Sequence, residues 1–191
     1  MIRLSFALLI LLFYVSCSRS VSRVAVDSQI DLSGRWNDSD SRMVAEEMIK
    51  ALTASENFKA YSKEINHKPV VIVGAVLNKT SEHIDADNYI KKIEAAIFNS
   101  GAAEMAEGGD FRDKIRQERT QQQEFSDPQT AAQWGKETGA DLMLLGEMTS
   151  ETDVLGSKRV VHYITTLFLT SMETNKRIWY GQKEIKKYIK H

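Results

Sequence analysis

Residues 142–185 read LMLLGEMTSETDVLGSKRVVHYITTLFLTSMETNKRIWYGQKEI, and this stretch decides the fold class. Residues 142–148 are an apolar run. Residues 159–170 alternate, with Val161, Tyr163, Thr165, Leu167 and Leu169 on one side, the period of a strand with one covered face. A third strand follows over 178–185, after the turn-forming Glu173-Thr174-Asn175-Lys176, while 152–157 reads as the turn between the first two and the end, KKYIKH at 186–191, as basic and exposed. Three strands in succession predict an antiparallel meander. Upstream, VVIVGAVL at 70–77 is nearly continuous and rich in β-branched residues. Such a run predicts a strand of the same sheet, covered on both faces.

Helical signals fill the rest. Asn37 to Ser41 (NDSDS) offers several capping side chains ahead of a helix over 40–54, whose Val44, Met48 and Leu52 share a face. Ser55 to Phe58 and Ser62-Lys63 read as helix-end and loop. A second helix is expected from Asp85 to Asn99, with Tyr89, Ile90, Ile93 and Ile97 in a stripe and Gly101 beyond its end. Residues 102–109 suggest a short strand closed by a Gly108-Gly109 turn, and the charged 110–125 a mostly exposed helix with Phe111, Ile115 and Phe125 as sparse apolar points. The clearest helix signal is Asp127-Pro128, a cap followed by proline at the first helical position, with Gly139 to close it. The expected class is α+β (mixed α/β): a small, mainly antiparallel or mixed four-stranded sheet flanked by helices. Residues 36–188 are expected to fold as one unit around Val71, Val73, Leu142, Leu144, Leu167 and Ile178.

The chain begins with Arg3, an apolar run of ten residues from Phe6 to Val15, and Val15-Ser16-Cys17, which holds the single cysteine of the 191-residue sequence. A bilayer span needs roughly 20 apolar residues, so this run fits a signal-peptide core. Small Ser16 before Cys17 resembles a bacterial lipoprotein signal, in which the cysteine is acylated (palmitate among its lipids) and becomes the new N-terminus. Tyr14 departs from the aliphatic residue usual there. An ordinary signal peptide with an incidental cysteine is the alternative. Removing residues 1–16 leaves 175 residues and a formal charge of −2, enough chain for one core. The near-neutral balance offers nucleic acid no long-range attraction and anionic lipid no strong patch. With no other thiol in the chain, neither an intrachain disulfide nor a thiolate metal site can form.

Catalytic constellations are not evident. His67, His83, His162 and His191 are not spaced as metal ligands. Glu46-Glu47 and Asp38/Asp40 fit solvated-face and helix-start roles better than acid–base work. Neither Gly-x-Ser-x-Gly nor a supported Ser-x-x-Lys occurs, and Gly108-Gly109 lacks the partners of a phosphate-binding loop. Trp134 and Trp179 fall in a predicted helix and strand, where packing is the default and a saccharide or partner platform the alternative. A non-enzyme with no cofactor and no metal is expected.

Three blocks carry a resemblance: Asp31-Leu32-Ser33-Gly34-Arg35-Trp36-Asn37-Asp38-Ser39-Asp40-Ser41-Arg42; Gly139-Ala140-Asp141-Leu142-Met143-Leu144-Leu145-Gly146-Glu147; and Met172 to Trp179 with Gly181-Gln182 and the basic tail. With the lipoprotein cysteine, they resemble the LpoB-type activators of penicillin-binding proteins. The last two blocks are shared more loosely with related periplasmic folds, including curli-secretion lipoproteins. The resemblance implies a small mixed sheet flanked by helices, in an envelope lipoprotein that docks on a bifunctional (class A) peptidoglycan synthase and stimulates it without chemistry of its own. A curli-type secretion or assembly lipoprotein is the competing reading. It would need spanning hairpins, and the charged 100–125 lacks their alternation.

The expected organisation is therefore a lipoprotein signal peptide (1–16), the lipidated Cys17 with a short polar tether (17–34), and an LpoB-like globular domain (35–191). Gly34 and Trp36 are read as structural. Arg35 and Arg42 are open to either an exposed contact or an ion pair. These two, with Arg112, Arg116 and Arg119 on the charged helix, are the candidate partner-binding residues. Residues 18–34 are too few to cross a wide periplasm: fully extended they reach about 60 Å, and as a flexible coil about 20–25 Å. Ser18 after the cysteine resembles outer-membrane sorting, so an outer-membrane lipoprotein facing the periplasm is expected; with so short a tether, either the periplasm is narrow, the partner reaches upward, or the anchor is in the inner membrane.

Overall fold

The computed structural model describes residues 20–132 and 137–190. The signal segment, Cys17, Ser18, Trp134 and His191 lie outside the described residues. Along the chain the elements are α1 (Asp38–Ala54), α2 (Glu56–Glu64), β1 (Val70–Asn78), α3 (Ala86–Ser100), β2 (Glu104–Met105), α4 (Gly109–Phe125), β3 (Leu142–Leu155), β4 (Lys158–Ser171) and β5 (Arg177–Lys190).

One five-stranded sheet runs in the order β2-β1-β3-β4-β5. β1 pairs in parallel with β2 and β3, and β3, β4 and β5 form the antiparallel meander. The fold is thus the expected mixed α+β class, with five strands where four were expected. The extra strand is the two-residue β2, held by Glu104 N donating to Pro69 O (2.9 Å) and Ala106 N donating to Val71 O (3.0 Å).

α1 and α3 cover one face of the sheet. Their stripes, Val44, Met48 and Leu52 from α1 and Tyr89, Ile93 and Ile97 from α3, meet Val71, Leu142, Leu144, Leu167 and Leu169 in the core. Full burial of each such side chain stabilises by roughly 1.5–3 kcal/mol. Gly146 has a steric reason: a Cβ there would press on Thr166 O, 2.5 Å away on β4. The opposite face is largely open. Across it Leu145, Phe168 and Tyr180 stand in one cross-strand row, and Arg177 stacks on Phe168 at 4.2 Å.

Several expectations need correction. Residues 56–64 form a helix, capped by the Ser55 side chain accepting from Phe58 N, where loop was expected; only Phe58 in it is buried, so no stripe betrays it. Among the described residues of the helix expected over 127–139 no helix forms: a turn occupies 128–130, and neither 131–132 nor 137–140 is helical. Asp127 makes the cap contacts, its Oδ1 accepting from Gln129 N and its carbonyl from Thr130 N and Ala131 N. A cap without a buried stripe does not offset the cost of nucleating a short helix. Gly108 and Gly109 start α4 instead of closing a turn. Residues 152–155 belong to β3, so only 156–157 turn. Beyond Ile72, β1 is covered on one side alone, with Ala75 and Leu77 exposed. At a β4–β5 irregularity Trp179 takes the core position and Ile178 is only partly buried. The basic C-terminal residues are strand: β5 runs to Lys190.

Candidate functional site

The three resembling blocks build scaffold. Asn37 caps α1, accepting from Asp40 N at 3.1 Å, while Asp40 Oδ2 accepts from Asn37 N at 2.9 Å. Asp40, only 2% exposed, is paired with Lys187 Nζ at 2.6 Å, and Asp31 shares the same ammonium at 2.5 Å. Trp36 is wedged edge-on against Tyr163 (5.5 Å) and Tyr89 (6.3 Å). Its backbone N–H donates to Glu82 Oε2 (3.1 Å) and its indole N–H to Ser41 Oγ (2.7 Å), and Glu82 also accepts from Tyr163 OH (2.8 Å). Burial, then the bond to Glu82, push the Tyr163 phenol well above its ordinary range. Gly34 has φ +68°, a bend that favours glycine, and lies against Ile189. In the second block, Asp141 joins β1 to β3 by accepting from Val70 N (2.8 Å). In the third, Asn175 turns the chain at φ 57° and the Trp179 ring covers Gly181.

The surface that is not scaffold lies between α3 and α4. α4 buries none of its residues. Its Phe111 and Ile115, four residues apart and so on one face, oppose Ala95 and Phe98 of α3 across a groove of about 950 Å³ whose floor includes Met105. Phe98 and Phe111 are 73% and 54% exposed, and Lys91 stands over the Phe111 ring at 5.1 Å. Contiguous exposed aromatics with a charged rim are the composition of a contact surface.

The predicted arginines fall into two groups. Arg116 holds Glu137 in a bidentate pair (3.0 and 2.8 Å), Arg119 adds a contact at 3.1 Å, and Arg112 Nε donates to Glu107 O (2.8 Å). These side chains tie α4 to residue 137 and to the β2–α4 connection; Arg119 lines the groove, while Arg112 lines the neighbouring hollow with Glu137. The hydrogen bond from Arg116 holds the exposed Glu137 carboxyl below the usual range. The other group lies by the N-terminal motif. Arg35 is exposed, and Arg42 donates to Val26 O at 2.9 Å. Sequence reasoning marked Phe111 and Ile115 as sparse apolar points and passed over Phe98. The usable signal was position: Phe98 is off the 89, 93, 97 stripe, so an aromatic there faces outward.

Among the described residues no group of three His, Cys, Asp or Glu side chains could hold a metal. His162 pairs with Glu184 (2.9 Å), and His67 approaches Asp141 at 3.8 Å. Among the described residues no helix is long and apolar enough to cross a membrane. Residues 100–125 form β2 and α4 instead of paired spanning strands.

Residues 40–185 match the sequence profile of the family described as peptidoglycan-synthase activator LpoB. The chain belongs to the LpoB family. Solved structures similar to it include the LpoB C-terminal domain from Escherichia coli, at 15% identity and TM-score 0.46, covering 80% of this chain and 99% of that one. The NMR structure of E. coli LpoB is similar at 12% identity and TM-score 0.42, covering 93% and 87%. Lipoprotein GNA1162 from Neisseria meningitidis is similar at 14% identity and TM-score 0.40, covering 63% and 83%. No curated protein sequence matches the chain. The LpoB match contains both α3 and α4, and therefore the whole groove between them.

Proposed function

We propose that this chain is an envelope lipoprotein whose domain binds a bifunctional class A penicillin-binding protein and raises its glycan polymerising and cross-linking rates, with no turnover of its own. The observation that carries the reading is the family match over 40–185, because the family is one of peptidoglycan-synthase activators. In this reading residues 1–16 are the signal peptide, Cys17 carries the lipid, the chain to residue 34 leads into the domain, and 35–191 is the LpoB-like unit. Ser18 favours an outer-membrane anchor facing the periplasm, with the inner membrane as the alternative. Exchange of Cys17 for alanine is expected to yield an unprocessed or mislocalised protein without acyl mass. Mass spectrometry of the mature wild-type N-terminus decides this: a processed, unlipidated protein rejects it.

The α3–α4 groove is the proposed docking site for the synthase, with Phe98 and Phe111 as apolar anchors, Arg119 in its lining, and Arg112 and Arg116 beside it on α4. Phe98→Asp and Phe111→Asp each remove a large exposed ring and leave the core untouched. Each is expected to weaken synthase binding by about 10–100-fold, roughly 1.4–2.8 kcal/mol, with an unchanged melting curve. Charge reversal at Arg112, Arg116 or Arg119 is expected to lower stimulation, and the same assay on Arg35 and Arg42 ranks the second patch against the first. The near-neutral domain should lose little affinity with salt. Absence of binding and stimulation with every class A synthase of the organism would refute the activator reading.

A further inference from the structure

The lipoprotein reading has a geometric consequence, because the polar segment ahead of the domain is largely docked. Arg42 holds Val26 O (2.9 Å), Ser39 Oγ donates to Ser28 O (3.3 Å), and Asp31 is fixed by Lys187 (2.5 Å) and by Asn37 Nδ2 (2.6 Å). From Val26 onward the chain follows the domain surface. Only residues 18–25 remain between Cys17 and the first tie. Eight residues reach at most about 28 Å, and as a flexible coil about 16 Å. A lipid on Cys17 thus keeps the domain within about one domain diameter of the bilayer surface.

The strand that holds the docked segment at Asp31, β5, also runs out to an apolar tip. β1 ends its pairing at Asn78↔Met148, while β3, β4 and β5 continue as a three-stranded extension. At its end Val154, Leu155 and Tyr188 are 61%, 81% and 60% exposed. Leu155 pairs with Lys158, and Lys158 with Lys190, so the row across the tip runs from the exposed leucine through two lysines. Asp31, where the docked segment is fixed to Lys187, is three β5 residues, about 10 Å, from that tip row. Aliphatic tips enter the interfacial zone of a bilayer, tyrosine favours the headgroup level, and lysine reaches phosphates over its own aliphatic stem.

We propose that the β3–β4 hairpin tip docks on the phospholipid surface that holds the Cys17 anchor, with Val154, Leu155 and Tyr188 in the interface and Lys158 and Lys190 at phosphates. The patch is small. It works because the short tether holds it at a millimolar effective concentration over the lipid surface. The synthase is then met at the anchor membrane and not across a wide gap.

The test uses the full-length lipidated protein in vesicles of phosphatidylethanolamine and phosphatidylglycerol. Once Cys17 is acylated, Leu155→Cys supplies a single free thiol for an environment-sensitive fluorophore, and Glu56→Cys on α2 is the control. Label at 155 is expected to shift to the blue and be quenched by headgroup-depth nitroxide lipids, while label at 56 stays in water. Val154→Asp/Leu155→Asp, read with the label at Tyr188→Cys, should lose the quenching. Insertion of about thirty Gly/Ser residues after Ser20 should reduce it several-fold. A label at 155 that stays in water while the acyl mass is present overturns the docking and leaves the lipoprotein reading standing. Missing acyl mass, with protein in the vesicle supernatant, is the distinct failure of the lipoprotein reading and removes the docking with it. Loss of synthase binding by Val154→Asp/Leu155→Asp in detergent, without vesicles, makes the tip a protein contact and overturns the proposal.

Discussion

Leu144→Asp is expected to abolish cooperative unfolding. Leu144 is fully buried in β3, between Val73 of β1 and Leu169 of β4 in register, so it belongs to the parallel and the antiparallel half of the sheet at once. The exchange forfeits about 2–3 kcal/mol of apolar burial. It also places in the core a carboxylate with no partner, at a cost of several kcal/mol more. A domain of this size is stable by only about 5–15 kcal/mol in total, so the loss removes most or all of it. Thr152→Asp, on the exposed end of the same strand, should change stability by less than about 1 kcal/mol. Thermal or urea unfolding followed by circular dichroism reads both, and a wild-type transition in the Leu144 variant would mean that β3 is misplaced.

Lys187→Met is expected to be the most damaging exchange outside the apolar core, at about 3–5 kcal/mol. The Lys187 ammonium is 10% exposed and lies between Asp40, which is 2% exposed, and Asp31, so its removal strands a buried carboxylate. Adding Asp40→Asn should recover part of the loss, because the amide oxygen can still accept from Asn37 N–H and no charge is left behind. The pair also sets an alkaline limit. Burial disfavours the charged lysine, but the hydrogen bonds its ammonium donates to Asp31 and Asp40 outweigh it and raise its pKa above the ordinary 10.5. A raised pKa contributes stability that is complete below the unfolded value and is lost as pH climbs through the folded one. The stability gap between wild type and Lys187→Met should therefore be constant from pH 7 to about 10 and narrow above it. A gap that does not change up to pH 12 would contradict the pairing.

The strands were legible because their signals are local. Alternation from Val161 to Leu169 and the apolar 70–77 run state the period and the buried side without reference to anything distant. The helices with stripes, α1 and α3, were legible for the same reason. α2 has one buried residue and no stripe and was missed, while the cap signal at Asp127-Pro128 was overread, since the described residues 127–132 turn without forming a helix. The candidate site was half legible. Phe111, Ile115 and the arginines of α4 stood out against a polar background, but the groove needs Phe98, and its outward position follows from the phase of α3 against the sheet. Lys187 was read as part of an exposed basic tail because its partners, Asp31 and Asp40, lie about 150 residues away in sequence.

That distance bears on how the chain reaches its native state. β1 pairs with β3 across 71 residues at Val71↔Leu142, and the last strand, β5, carries both the core Trp179 and Lys187. The apolar stripes of α1 and α3 are synthesised before any of the meander they cover. Translation at about 5–20 residues per second leaves the α1 stripe uncovered for several seconds to tens of seconds. Contacts of such long sequence separation place the domain among slow folders. A chain cut ahead of β5 is expected to be aggregation-prone, because the missing strand closes the core and pairs with Asp40.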